Sequence, residues 1–222
     1  MFDGSDASRL PPSPRRRFLS FHQLNALAIA GALASAGMIP VADLAFVLFS
    51  FVYLHLLSAV AFPPLRPGSD PPVFGARNRL LAAYVSAGAV VGLLLPLAHI
   101  LDGVLAGDKE GVEAAAPHVF LLTAQVFLEG VTFSGGFSLP VRAFVPIFYN
   151  TKRLFTIINW VASEVGKAEG AHGAARRVLA GRALAVANLG FWAFNLFGFL
   201  LPIYLPRAFK RYYSGYNNNT IS

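Results

Sequence analysis

The chain has 222 residues, of which 55% are apolar and 13% charged, and its mean hydropathy is +0.56. Soluble domains carry about 25% charged residues, so this composition excludes an ordinary soluble fold, and the apolar residues gather into long runs of membrane type. The net charge of +7 comes from eighteen Lys and Arg against eleven acids. Those basic residues flank the apolar runs, where anionic headgroups draw them, which argues against nucleic acid as a partner. The absence of cysteine excludes disulfides, thiolate metal sites and thiol catalysis.

Residues 1–20 read as a disordered basic leader on the cytosolic side, with Pro11, Pro12 and Pro14 followed by Arg15, Arg16 and Arg17. Ser13-Pro14 before the arginines has the form of a phosphorylation site, but an orienting basic flank accounts for the stretch more simply. Leu24–Ile39 lacks a cleavage site and reads as an uncleaved first helix, not a signal peptide. Its small residues Ala26, Ala30 and Ala34 share one face and invite close helix packing. Gly37 to Pro40 makes a turn, and a second span runs from Val41 to Phe62 with Asp43 near its start and His55 inside.

A Pro/Gly-rich basic loop, Pro63–Arg79, precedes a third span at Leu80–Leu101, which holds a Gly88-xxx-Gly92 pair, Pro96 and His99. Asp102–Pro117 reads as an acidic loop. The fourth span, Val119–Leu139, carries Gln125 and Glu129 one turn apart on one face. A carboxylate at membrane depth is costly unless protein, water or a partner shelters it, so this helix is expected to be the hub of the bundle. Val145–Val165 is amphipathic. Ile147, Phe148, Leu154, Phe155, Ile158, Val161 and Val165 lie on one side, and Lys152, Arg153, Thr156, Asn159, Ser163 and Glu164 on the other. That pattern predicts a helix lying in the interface. After a polar linker, Gly166–Gly173, the last span covers about 183–205 with Asn188 and Asn195 nearly on one face. Residues 207–222 form a basic-aromatic tail.

The sum is an all-α, multi-pass integral membrane helical bundle with about five spanning helices (24–39, 41–62, 80–101, 119–139 and 183–205) and one interfacial helix at 145–165. Five crossings leave Arg207–Arg211 outside, against the positive-inside rule; a crossing by 145–165 as well would make six. Asn218-Asn219-Thr220 has the form of a glycosylation sequon, here most simply a chance occurrence.

Glu129 heads the candidate polar site, with Gln125, His99, His55, Asn188 and Asn195 as companions. It reads either as a proton or cation site or as a hydrogen-bonded packing device. Arg142, Lys152 and Arg153 are candidate contacts to anionic lipid headgroups. No cofactor is implied. No His, Asp or Glu pair falls at i, i+3 or i+4 in any span, so no metal site is expected. Nucleophile elbows, phosphate loops and metalloprotease motifs are all missing, and the chain is expected not to be an enzyme.

The stretches RRRFLSFHQLNALAIA, DLAFVLFSFVYL, FSLPVRAFVPIFYNTKRLFTIINW and GRALAVANLGFWAFNLFGFLLPIYLPRAFKRYY resemble a plant family of uncharacterised multi-pass transmembrane proteins. The resemblance covers most of Arg15 to Tyr213 and implies membrane localisation in a plant, with no activity attached. The expected function is therefore a non-enzymatic scaffold or assembly component of an endomembrane or plasma membrane, whose partners are the bilayer and a second copy or another membrane protein. The alternative is a small transporter or channel subunit working through Glu129.

Overall fold

The computed structural model describes residues 20–64, 73, 79–134, 136–167 and 172–220. The Ser13–Arg17 stretch, most of the Pro63–Arg79 loop and residues 168–171 lie outside the described residues. Among the described residues six helices follow one another. They are α1 (Phe21–Ser35), α2 (Val41–Ala61), α3 (Arg79–Ala106), α4 (Lys109–Ser134), α5 (Leu139–Gly166) and α6 (residues 172–220). There is no strand among the described residues.

Local chemistry sets most of the boundaries. Ser20 starts α1 with a reciprocal cap, its hydroxyl accepting from the Gln23 N–H while its own N–H donates to Gln23 Oε1 at 2.7 Å. Pro40 precedes α2, and Pro140 sits in the first turn of α5, where its missing N–H costs nothing. Gly107 adopts φ +72 and ends α3 in the left-handed conformation that glycine tolerates best. The expected acidic loop 102–117 is consequently not a loop. Asp102 lies in the last turns of α3, and only Gly107 and Asp108 separate Ala106 from Lys109, where α4 begins.

Contacts between helices fix an antiparallel register throughout. Along α2 and α5, Lys152 pairs with Asp43 at 2.7 Å, the Ser50 and Tyr149 hydroxyls lie 2.9 Å apart, and Ser138 Oγ donates to the Phe62 carbonyl. Along α3 and α6 the sequence of contacts is Tyr84 with Asn195, Val91 with Asn188 and Asp102 with Arg177. Helix α5 runs back along α4, since Gln125 meets Arg153 while Lys167 reaches Asp108. Six antiparallel passes therefore bring Ser20, the start of α3, the end of α4, the start of α5 and Tyr212 to one end of the bundle. Gly107 and Lys167 mark the other end.

The bundle is apolar outside, and its largely apolar core encloses several polar and charged side chains. Val41, Leu48, Val60, Leu80, Leu105 and Phe197 are all exposed, whereas Asp43, His118, Asn150, Arg153, Glu164 and Asn188 are each no more than 2% exposed. Four helices, α2, α3, α4 and Ala175–Gly215 within α6, are long and apolar enough to cross a membrane. Helix α4 is buried over most of its length, as expected of a hub.

Two sequence expectations change. Helix α1 has 15 residues, about 22 Å, which is short of a hydrocarbon core of about 30 Å; it is not among the four helices that qualify as spans. Helix α5 does not lie apart as a surface element. Arg153, Thr156 and Glu164 turn inward, while Phe155, Ile158 and Val165 are 50–62% exposed. An amphipathic pattern reveals two unlike faces but not which one meets solvent, and here both faces are divided: Ile147 and Leu154 are buried as well, and Asn159 is exposed.

Because the chain has no cysteine, single introduced thiols report this register directly. Ser20→Cys and Ser214→Cys should react with an impermeant maleimide from one side of sealed vesicles, and Lys109→Cys from the other. Labelling of Ser20→Cys and Ser214→Cys from opposite sides would contradict six passes.

Candidate functional site

Glu129, Gln125, Arg153, Asn150, Asn195 and Tyr84 form one connected chain. Gln125 Nε2 donates to Glu129 Oε1 at 2.8 Å, and Arg153 Nη1 donates to Gln125 Oε1 at 2.9 Å. The Gln125 amide thus stands between a carboxylate and a guanidinium and offers each the end it needs. Arg153 Nη2 continues to Asn150 Oδ1 at 3.2 Å. Asn150 Nδ2 donates to Asn195 Oδ1 and to the Trp192 carbonyl, and Asn195 Nδ2 donates to the Tyr84 hydroxyl at 2.7 Å. Four helices, α3 to α6, contribute.

Arg153 is completely buried and lies over the Trp192 ring, its guanidinium carbon 3.8 Å from the centroid. An indole face attracts a cation through its quadrupole, most strongly where water is excluded. Trp192 is itself held by its Nε1–H, which donates to Asn188 Oδ1 at 3.1 Å. It packs so closely on α3 that a Cβ at Gly92 would stand 2.5 Å from the indole. Gly88 plays the same part toward Phe191. The Gly88-xxx-Gly92 pair is therefore an aromatic docking strip for α6.

Proline chemistry explains why α3 can belong to this site. Pro96 has no N–H, so the Gly92 carbonyl four residues earlier loses its helical donor. The helix passes through a π-helical stretch, Val90–Leu94, just before it. His118 Nε2 meets the Gly92 carbonyl at 2.9 Å, and Asn188 Nδ2 donates to the Val91 carbonyl at 3.0 Å. A carbonyl accepts only, so His118 carries its proton on Nε2. Side chains of α4 and α6 thereby re-satisfy backbone groups that a proline frees, as buried helices require.

Beside the chain lies a cleft of about 630 Å³ between α3, α4, α5 and α6. Leu81, Val85, Leu93, Leu122, Phe133, Phe199 and Leu200 give it apolar walls, while Tyr84, Gln125, Glu129, Arg142 and Asn195 supply polar groups. Ligand sites commonly combine such walls with a few placed polar atoms. Glu129 stands five residues from the end of α4 and Arg142 three residues into α5, so the charged part of the cleft lies toward the end of the bundle shared by Ser20 and Tyr212.

The sequence-predicted residues divide accordingly. Glu129, Gln125 and Asn195 come together with Arg153, and Asn188 supports them through Trp192. His55 is exposed on α2, edge-on to Phe137 at 5.8 Å, and takes no part. His99 belongs to a separate group near the opposite end. There its ring lies 6.1 Å from Trp160, and a Cβ on Gly181 would meet both Glu164 Oε2 and His99 Cε1. Lys152 pairs with Asp43 and stays partly exposed, Arg153 is committed to the interior, and Arg142 lines the cleft. Among the described residues no group of three His, Cys, Asp or Glu could hold a metal. Sequence reading missed Tyr84, His118, Asn150 and Trp192. The spacing Asn150-x-x-Arg153, one turn apart on one face, was the available signal for an inward polar edge.

An all-α bundle with an apolar coat and a polar network set into an apolar core is the class of protein that the fold defines. The chain belongs to the family of the domain of unknown function DUF7733, whose match covers residues 19–213. No curated protein and no solved structure matches it.

Removing one partner of the interior network should expose its charge balance. Arg153→Met strands the Glu129 carboxylate and should cost about 3–5 kcal/mol of stability. Adding Glu129→Gln should recover part of that loss, because the stranded group is then neutral. Thermal unfolding of the two single variants and the double variant in nanodiscs, analysed as a cycle, checks the coupling.

Proposed function

We propose that the chain is a non-enzymatic multi-pass integral membrane protein that acts as a small transporter or channel subunit through Glu129. The cleft beside Glu129 carries this reading: about 630 Å³ of space meets a carboxylate of which one oxygen is engaged by Gln125. An ionisable group facing an interior cavity is the usual mark of a substrate or proton path in a membrane bundle. Both Arg142 and Glu129 reach the same space, so the site can meet a charged group while the apolar walls accept a chain.

We further infer that the end at Ser20 faces the cytosol, because the sequence just before it carries Arg15, Arg16 and Arg17, following the positive-inside rule. The membrane is an endomembrane or the plasma membrane; the resemblance noted above is what points to a plant. A second reading, a scaffold or assembly component, draws on the apolar outer faces of α2 and α3, where Leu48, Phe49, Val52, Val85 and Leu101 are exposed. Those faces would seat lipid or the helices of a second copy, which native mass spectrometry from nanodiscs would reveal as a dimer or higher species.

The transport reading is tested with proteoliposomes that trap a pH-sensitive dye and receive an external acid pulse. Wild-type protein should acidify the interior faster than empty vesicles, and Glu129→Gln should bring the rate down to theirs. Wild-type rates equal to those of empty vesicles would remove the proton path and leave the scaffold reading in its place.

A further inference from the structure

Arg142 is the charge that the interior network leaves over. It is 9% exposed, its Nε has no hydrogen-bond partner, and it makes no ion pair among the described residues. Its guanidinium carbon lies 5.1 Å from the centroid of the Phe133 ring, which lines the same cleft. Glu129 does not serve as its counter-ion, being joined through Gln125 to Arg153. Glu129 and Arg153 balance one another, so Arg142 gives the cleft an uncompensated positive charge. A guanidinium in that setting is a planar fork of donors with room in front of it, the geometry that suits phosphate or carboxylate oxygens.

We propose that Arg142 anchors an anion site in the cleft, and that the occupant is an acidic-headed lipid. Its phosphate lies on the Arg142 guanidinium and its chain runs along Leu81, Val85 and Phe199. Charge complementarity selects the head. The apolar character of the remaining wall selects a lipid over a free ion, and Val85, 61% exposed at the outer lip, leaves the chain a way to the bilayer. This rests on the reading of the cleft as a binding site and names the class of molecule that it takes.

The chain's two tryptophans make the test direct, because Trp192 lines the cleft while Trp160 is fully buried elsewhere. Full-length protein in detergent micelles is titrated with phosphatidic acid or phosphatidylcholine brominated on the acyl chains, and tryptophan quenching is read. Wild type should be quenched saturably, with phosphatidic acid favoured by about tenfold in half-saturating concentration. Arg142→Gln should abolish the preference and Arg142→Lys should restore part of it. Val85→Phe, which keeps the arginine and adds no tryptophan while filling part of the cleft, should raise the half-saturating concentration of both lipids. Equal affinity of wild type for the two lipids, or a preference that survives Arg142→Gln, overturns the anion site while the cleft remains a binding site. Displacement of the brominated lipid by inorganic phosphate at similar concentration makes the occupant a free anion and overturns the lipid. Absence of saturable quenching by either lipid removes the cleft as a binding site altogether.

Discussion

A guanidinium sealed inside a helical bundle has to find its partners there, and Arg153, sealed completely, finds them for both terminal nitrogens while its Nε has none. Its needs account for much of what surrounds it. Gln125 accepts one N–H and hands on the charge relation to Glu129; Asn150 accepts another and ties α5 to α6; Trp192 presents its face. Each of these groups is held by something else in turn. Losing a member costs more than one hydrogen bond, since a buried polar atom without a partner bears its full desolvation penalty. In lipid the hydrophobic effect does not press helices together, so close packing and such networks carry the association.

The same logic governs α3, which Pro96 interrupts. Pro96 and the π-helical turn before it would leave carbonyls unpaired in the middle of α3, but His118 and Asn188 reach them from α4 and α6. What looks like a defect in one helix becomes the place where two others attach. The aromatic groups that follow, with Trp160 and Trp192 rings about His118 at 6.0 and 6.3 Å, fill the space around that junction.

Much of the architecture was legible in the sequence, and the parts that were not share a cause. Long apolar runs mark α2 and α3, and the isolated pair Gln125 and Glu129 marks α4 as the hub, because polar residues are rare at such depth. Helix α5 was harder. Its moment is real, but a moment carries no sign for inside and outside, and Arg153 reads equally well as a headgroup contact or as an interior charge. The Asp102–Pro117 stretch misled for a related reason: Asp102, Asp108, Glu110 and Glu113 look like loop composition, yet helices continue through charged residues at the end of the bundle. The site itself depended on partners far apart in sequence, such as Tyr84 with Asn195, and no local pattern announces those.

Helix α6 sets a phase condition on the whole site. Trp192 and Ala208 are both buried, one over Arg153 and the other against Leu139 and Ala143. They are sixteen positions apart, which in a regular α-helix turns them roughly 160° from each other. The π-helical stretch Phe194–Tyr204 between them takes up more residues per turn and brings both to the inner side. The stretch works as a rotational spacer. A one-residue insertion or deletion there would swing either the indole or the docking surface of the C-terminal segment out of the bundle, so this segment has a fixed length, as does the compact turn at Gly107.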